Sequence, residues 1–76
     1  MKPQKLVFVA HPLGAGRWEI KTPFGRYLVR QEEDTLGDSC YWIETPAGHR
    51  LDTEVINSLE EVEEIAAHHY HKHYAG

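Results

Sequence analysis

The sequence contains few of the features that build disulfide-linked, membrane-spanning or enclosed catalytic proteins. It has one cysteine, so no internal disulfide can form, whereas small secreted domains usually need several. The apolar run at residues 6–10 is too short for a signal-sequence core or a membrane span. A chain of 76 residues also has little material for a cleft walled on all sides. We therefore expect a cytoplasmic single domain over residues 1–76 that binds a partner, makes no membrane contact and is not an enzyme.

Charge is unevenly distributed along the chain, whose net charge is −4. Residues 1–31 carry six basic side chains against one acidic side chain, a net charge of +5. Residues 32–76 carry two basic side chains against eleven acidic ones, a net charge of −9. Such a molecule can meet partners of opposite sign on different faces.

Runs of β-branched and aromatic residues predict an antiparallel sheet of three to five strands. The strands are expected at 5–10, 17–22, 26–31 and 39–45, with a short fifth strand at 49–52. Residues 20–28 and 43–51 share the pattern Ile-x-Thr-Pro-x-Gly-x-x-Leu, which predicts two hairpins. Pro followed two positions later by Gly favours a type I turn closed by a left-handed glycine. This turn would place Ile20 opposite Leu28 and Ile43 opposite Leu51.

That register predicts two partly apolar sheet faces. The first face would carry Trp18, Ile20, Leu28, Tyr41, Ile43 and Leu51. The second would carry Tyr27, Val29, Cys40 and Trp42. A single helix can cover only one face, so the other is either a partner surface or a minor core beneath the first strand.

A C-terminal helix is predicted over residues 58–73. Residues 58–61, Ser-Leu-Glu-Glu, form a capping box, and the acidic first turns and basic last turn complement the helix dipole. Helical spacing predicts a buried stripe of Leu59, Val62, Ile65, Ala66, His69 and Tyr70. The expected fold class is α+β, an antiparallel sheet packed by one C-terminal helix.

Motifs for catalysis or metal binding are sparse. Residues 14–16, Gly-Ala-Gly, lack the Lys-Ser/Thr of a phosphate loop, and Cys40 has no flanking nucleophile motif. His69 and His73 are one helical turn apart and could share a metal, but no third ligand is placed with them. We therefore predict no catalytic residues, no cofactor and no resident metal, and a metal-binding protein that uses the histidine run stays an alternative function.

Two clusters of charge suggest opposite partners. The basic hairpin, with aromatic residues interleaved, would suit nucleic acid through Arg17, Lys21, Arg26 and Arg30. The net acidic charge argues against direct nucleic-acid binding. The acidic half could instead occupy the basic groove of a nucleic-acid-binding protein. The predicted partner-binding residues on this hypothesis are Trp42, Glu54, Glu60, Glu61, Glu63 and Glu64.

The chain also resembles small phage-encoded or prophage-encoded proteins. The resemblance rests on Trp18, Ile20, Thr22, Pro23, Gly25 and Tyr27, on residues 58–61, and on Ala67, His69 and Tyr70. Several proteins of this kind are anti-defence factors, including anti-CRISPR proteins that block a host nuclease or surveillance complex by direct binding. The resemblance implies a stoichiometric inhibitor of a host protein, and it assigns no role to individual residues. Monomer and homodimer both stay open.

Overall fold

A computed structural model describes residues 7–33 and 35–74 of the chain. Its four-stranded antiparallel sheet has the strand order β1-β2-β3-β4. The elements are β1 (His11–Gly14), β2 (Arg17–Thr22), β3 (Gly25–Glu33), β4 (Ser39–Glu44) and α1 (Leu59–His73). The predicted α+β class is confirmed, because the sheet is followed by one C-terminal helix among these residues.

The first strand lies later in the chain than its sequence predicts. Residues 5 and 6 fall outside the described residues, residues 7–10 are irregular, and the strand is His11–Gly14. Phe8 packs instead against Tyr70 of α1 at a ring-centroid distance of 5.4 Å, and the Ala10 amide donates to the Glu63 carboxylate at 2.8 Å. This apolar segment covers the helix rather than joining the ladder. A short edge strand tolerates Pro12 because one row of its amides needs no strand partner.

The two Thr-Pro-x-Gly segments form different turns. In the first, Thr22 pairs with Gly25, and the Thr22 hydroxyl accepts from the Phe24 amide at 3.2 Å. Ile20 therefore pairs with Tyr27, and the predicted alignment with Leu28 is wrong by one residue. Gly25 has φ +131°, and a Cβ there would lie 3.0 Å from the Pro46 Cβ, so its backbone conformation and the close approach of the second turn both favour glycine.

The second turn is one residue longer. The Gly48 amide donates to the Thr45 carbonyl at 2.9 Å, and Gly48 has φ +88°. The Leu51 amide donates to the Ile43 carbonyl at 2.8 Å, which aligns these two residues as the turn chemistry predicts. The predicted fifth strand at 49–52 is reduced to one bridge between Glu44 and Arg50.

The register of β3 decides which side chains enter the core. A one-residue shift moves every side chain of a strand to the opposite face. Tyr27 and Val29 are therefore buried beneath α1, and the prediction that they share a face with Trp42 is wrong. The core residues are Ile20, Tyr27, Val29, Ile43, Ile56, Val62, Ala66 and Tyr70.

Helix α1 follows its sequence signals closely. The Ser58 hydroxyl accepts from the Glu61 amide at 3.2 Å, and the Tyr74 amide closes the last turn on the Tyr70 carbonyl at 2.8 Å. Of the predicted stripe, Val62, Ala66 and Tyr70 are buried. The remaining three residues, Leu59, Ile65 and His69, are half-buried at its margins.

Candidate nucleic-acid interface

The outer face of the sheet, opposite α1, carries all four basic residues of the hairpin. Arg17 pairs with Arg30 and Lys21 pairs with Arg26, so alternation along β2 and β3 directs these side chains to one side. All four residues are exposed. The structure thus brings the predicted basic set together on a surface that α1 leaves open.

Two of these cations are already paired with a carboxylate. Glu19 is only 8 % exposed, and its carboxylate lies 2.9 Å from the Arg26 guanidinium and 3.8 Å from the Lys21 ammonium. The basic partners are largely solvated but the Glu19 carboxylate is nearly buried, so the two cations compensate a buried charge. These ion pairs reduce the positive potential at one end of the hairpin.

Arg17 and Arg30, at the other end of the hairpin, have no such partner within residues 7–33 and 35–74. They are directly opposite in the β2–β3 ladder, and no carboxylate among the described residues forms an ion pair with either guanidinium. Like charges at opposite ladder positions destabilise a sheet. An anionic ligand contacting both side chains would remove that repulsion.

Trp42 continues this line of side chains across the sheet. It pairs with Arg30 in the β3–β4 ladder, and the Arg30 Cζ lies 5.4 Å from the ring centroid. The Arg50 Cζ lies 4.9 Å from the same centroid, and the indole N–H donates to Glu32 at 2.8 Å. We call Arg17, Arg30, Trp42 and Arg50 the arginine row.

Sequence reasoning missed Arg50 as a member of this surface. The second turn brings it to the sheet, because the turn aligns Glu44 with Arg50. The predicted alignment of Ile43 with Leu51 also places Arg50 opposite Glu44. The turn motif therefore contained the information needed to find Arg50. The predicted alignment also puts Arg50 on the face of Trp42, and the error concerned β3 alone, whose predicted register put Arg30 on the other face.

The predicted acidic binding set does not form one surface. Glu60, Glu61 and Glu64 are exposed on α1, whereas Glu63 is half-buried and accepts from the Ala10 amide. Glu61 also accepts from the Asn57 amide at 3.4 Å, so it belongs to the helix cap. The other two members, Trp42 and Glu54, line a separate pocket at the β4 edge.

The histidine run places one imidazole against the core. The Tyr27 hydroxyl and the His69 Nδ1 are 2.7 Å apart, and the His69 and His73 rings have centroids 4.3 Å apart. Burial raises the pKa of Tyr27 to about 12, and the phenols of Tyr74 and Tyr70 add to the rise. Burial lowers the pKa of His69 below its usual value, and positive charge on His73 and Lys72 lowers it further. At neutral pH this hydrogen bond therefore joins a neutral phenol and a neutral imidazole.

Stability should fall as the pH drops below about 6.5, the pKa of an unperturbed histidine. Because His69 binds a proton less readily in the folded chain, the unfolded chain takes up more protons in that range and is favoured. Chemical unfolding at several pH values measures the effect, with His69→Gln reducing it. The exposed control His68→Gln should keep the wild-type pH dependence. An identical pH dependence in both variants would contradict this assignment.

Zinc binding is expected to be weak. Across the described residues, no group of three or more His, Cys, Asp or Glu side chains is arranged to hold a metal. The Nδ1 of His69 already contacts the Tyr27 hydroxyl, and His73 is the only histidine among the described residues whose ring lies against that of His69. Calorimetry on untagged protein should give no one-to-one complex with a Kd tighter than about 1 μM. A tighter complex that is lost in His69→Gln would contradict this expectation.

No helix among the described residues is long and apolar enough to cross a membrane. No protein-family model, curated protein or solved structure matches the chain. The resemblance to phage-encoded inhibitors therefore stays a prediction.

Proposed function

We propose that this protein binds nucleic acid through the outer face of its sheet. The observation that carries the proposal is the Arg17–Arg30 pair, two exposed guanidinium groups at directly opposite ladder positions with no described ion-pair partner. Their mutual repulsion costs stability, and phosphate is a ligand that would offset it.

The side chains of the arginine row have the chemistry that nucleic acid needs. A guanidinium is always charged and presents a planar set of donors that matches phosphate oxygens. An indole ring offers a flat surface on which any base can stack. The row therefore combines contacts to the backbone and to bases on one open surface.

The carboxylates of α1 do not prevent this interaction. The exposed carboxylates of Glu60, Glu61 and Glu64 are on α1, and α1 packs on the opposite face of the sheet. A helix with its side chains is about 10–12 Å across, which exceeds the Debye length of about 8 Å at physiological ionic strength. Mobile ions thus screen these carboxylates from a strand bound at the outer face.

Fluorescence anisotropy with labelled oligonucleotides tests the proposal. For about three phosphate contacts, log Kd against log salt should have a slope near 2 for a single strand. The affinity should then fall roughly 20-fold when salt rises fourfold. Failure to bind single-stranded or duplex oligonucleotides at low salt and micromolar protein would overturn the proposal.

A second candidate function uses the exposed side of α1. Glu60 and Glu64 are one helical turn apart and exposed, and such like-charge pairs weaken a helix. A capped helix fixes their spacing before binding. They could occupy the basic groove of a host nucleic-acid-binding protein, which is how a stoichiometric anti-defence inhibitor would act.

Capture from a host lysate separates the two candidates. If the helix is the interface, Glu60→Lys with Glu64→Lys abolishes capture of a protein partner, and Arg17→Gln with Arg30→Gln does not. If the arginine row is the interface, the result is reversed, and nuclease treatment of the lysate also removes the captured material. Circular dichroism of each variant checks that the fold is intact.

A further inference from the structure

A pocket lies at the β4 edge, directly beside the arginine row. The chain is held to β4 at two points, by the Leu51 amide on the Ile43 carbonyl and by the Tyr41 amide on the Ile56 carbonyl at 2.9 Å. Between these points, residues 52–55 make no backbone hydrogen bond to β4 among the described residues. They bow away from the sheet edge and leave a cavity of about 340 Å³.

The pocket is lined by Trp42 and three charged side chains, and by Cys40, Tyr41, Leu51, Thr53 and Val55. Trp42 provides an aromatic wall, Arg50 provides a cation, and Asp52 and Glu54 provide carboxylates. An ionised carboxylate accepts hydrogen bonds and cannot donate them. A ligand that fits should therefore be flat, should carry N–H donors, and should have an anionic group that reaches Arg50.

We infer that this pocket receives one amino-bearing base of a single-stranded nucleic acid, an inference that rests on the proposed function. The base stacks on Trp42 in place of the Arg50 guanidinium, which then binds the neighbouring phosphate. Its amino group donates to Asp52 or Glu54. The strand must be single, because the pairing edge of a base in a duplex is already occupied.

The carboxylates make the pocket selective among bases of equal size. Cytosine presents an amino donor at the position where thymine presents a carbonyl acceptor. A carbonyl oxygen facing Asp52 or Glu54 would meet another acceptor, leaving both without a donor. Cytosine strands should therefore bind about tenfold more tightly than thymine strands, which is within the range of a well-placed base contact.

The fluorescence of Trp42 reports binding in the pocket. The chain has two tryptophans, so Trp18→Phe leaves Trp42 as the only indole. Titration with oligodeoxycytidine should quench its fluorescence, and oligothymidine should bind about tenfold more weakly. Cytidine monophosphate serves as a third ligand and should bind more weakly than the oligomer, because it lacks the phosphates that contact Arg17 and Arg30.

A matched pair of double variants distinguishes recognition from simple charge effects. Asp52→Ala with Glu54→Ala removes two negative charges near the strand, so oligothymidine should bind more tightly. The preference for cytosine should disappear in the same variant. Glu60→Ala with Glu64→Ala makes the same charge change on α1 and should keep the preference. A purely electrostatic role of Asp52 and Glu54 would strengthen binding of both oligomers equally.

Other outcomes overturn the inference in distinguishable ways. Equal affinity for the two oligomers, with dependence on Arg17 and Arg30 retained, would refute the base pocket and leave the proposed function standing. Cytidine monophosphate binding as tightly as the oligomer would refute recognition of a strand. No binding of any oligonucleotide would overturn the proposed function and this inference with it.

Discussion

Replacing Arg17 and Arg30 together by glutamine is expected to weaken oligonucleotide binding by about 100-fold. A hydrogen bond to a charged group contributes about 1.5–3 kcal/mol, and two losses at the low end of that range correspond to roughly that factor. The slope of log Kd against log salt should also fall by about 1.4, since two phosphate contacts disappear. Anisotropy titrations over a range of salt measure both quantities.

The matched control removes the same amount of charge from the same strands. Lys21→Gln with Arg26→Gln should weaken binding by less than about fivefold, because these two cations are already paired with Glu19. Equal losses in the two double variants would mean that the outer face acts only through its total charge. The arginine row would then have no special role.

The double variant with Arg17→Gln and Arg30→Gln is expected to keep its stability although it loses binding. Replacement of the two arginines removes the repulsion across the ladder and also the contact of Arg30 with Trp42, so the free energy of unfolding should change by no more than a few tenths of a kcal/mol. Loss of binding with retained stability is the pattern of a residue kept for a ligand. Urea unfolding of the variant and the wild type at two salt concentrations measures the difference in their free energies of unfolding.

Tyr27→Ala is expected to leave the chain largely unfolded. Tyr27 is fully buried at the centre of the sheet, and truncating a buried aromatic side chain costs about 3–5 kcal/mol. Domains are stable by only about 5–15 kcal/mol, and one of this size lies near the lower end. Loss of the cooperative transition in urea, followed by circular dichroism, is the expected result.

Tyr27→Phe is the matched control for the ring. It keeps the buried aromatic volume and removes only the hydrogen bond to His69, so the expected cost is about 1 kcal/mol. Comparing the two variants gives the separate contributions of ring packing and of the hydrogen bond to the free energy of unfolding at this position. A Tyr27→Ala protein that loses less than about 1 kcal/mol would show that Tyr27 is not a core residue.

The helix could be predicted from sequence because its signals are local. Ser58 and Glu61 sit three residues apart and define the start, whatever the rest of the chain does. The strand segments 17–22 and 39–45 were likewise recognisable, since β-branched and aromatic residues are concentrated there. These predictions did not require knowledge of which segments meet in space.

The register of the first hairpin could not be predicted because the same turn pattern is compatible with two loop lengths. The same Pro-x-Gly pattern forms a two-residue loop at Gly25 and a longer loop at Gly48. Gly25 lies against Pro46, a contact across the two turns that no local rule contains.

The one-residue difference in the β2–β3 register also determines whether the four basic residues lie on one face of the sheet. In the predicted register, Arg17 and Lys21 would face away from Arg26 and Arg30, and the basic set would be divided between two faces. The observed pairing of Arg17 with Arg30 makes the set one surface. The nucleic-acid hypothesis therefore gained support from a detail that composition and charge could not supply.

The two borders of the sheet restrict how another polypeptide could join it. At one border, β1 has four residues, a bulge after Pro12, and a proline that cannot donate a main-chain hydrogen bond. At the other border, residues 50–56 already contact β4 at both ends. Strand addition of the kind that drives β-sheet aggregation or donor-strand exchange is thus disfavoured at both described borders. A protein that associates with this chain would have to recognise side chains on a face rather than extend the ladder.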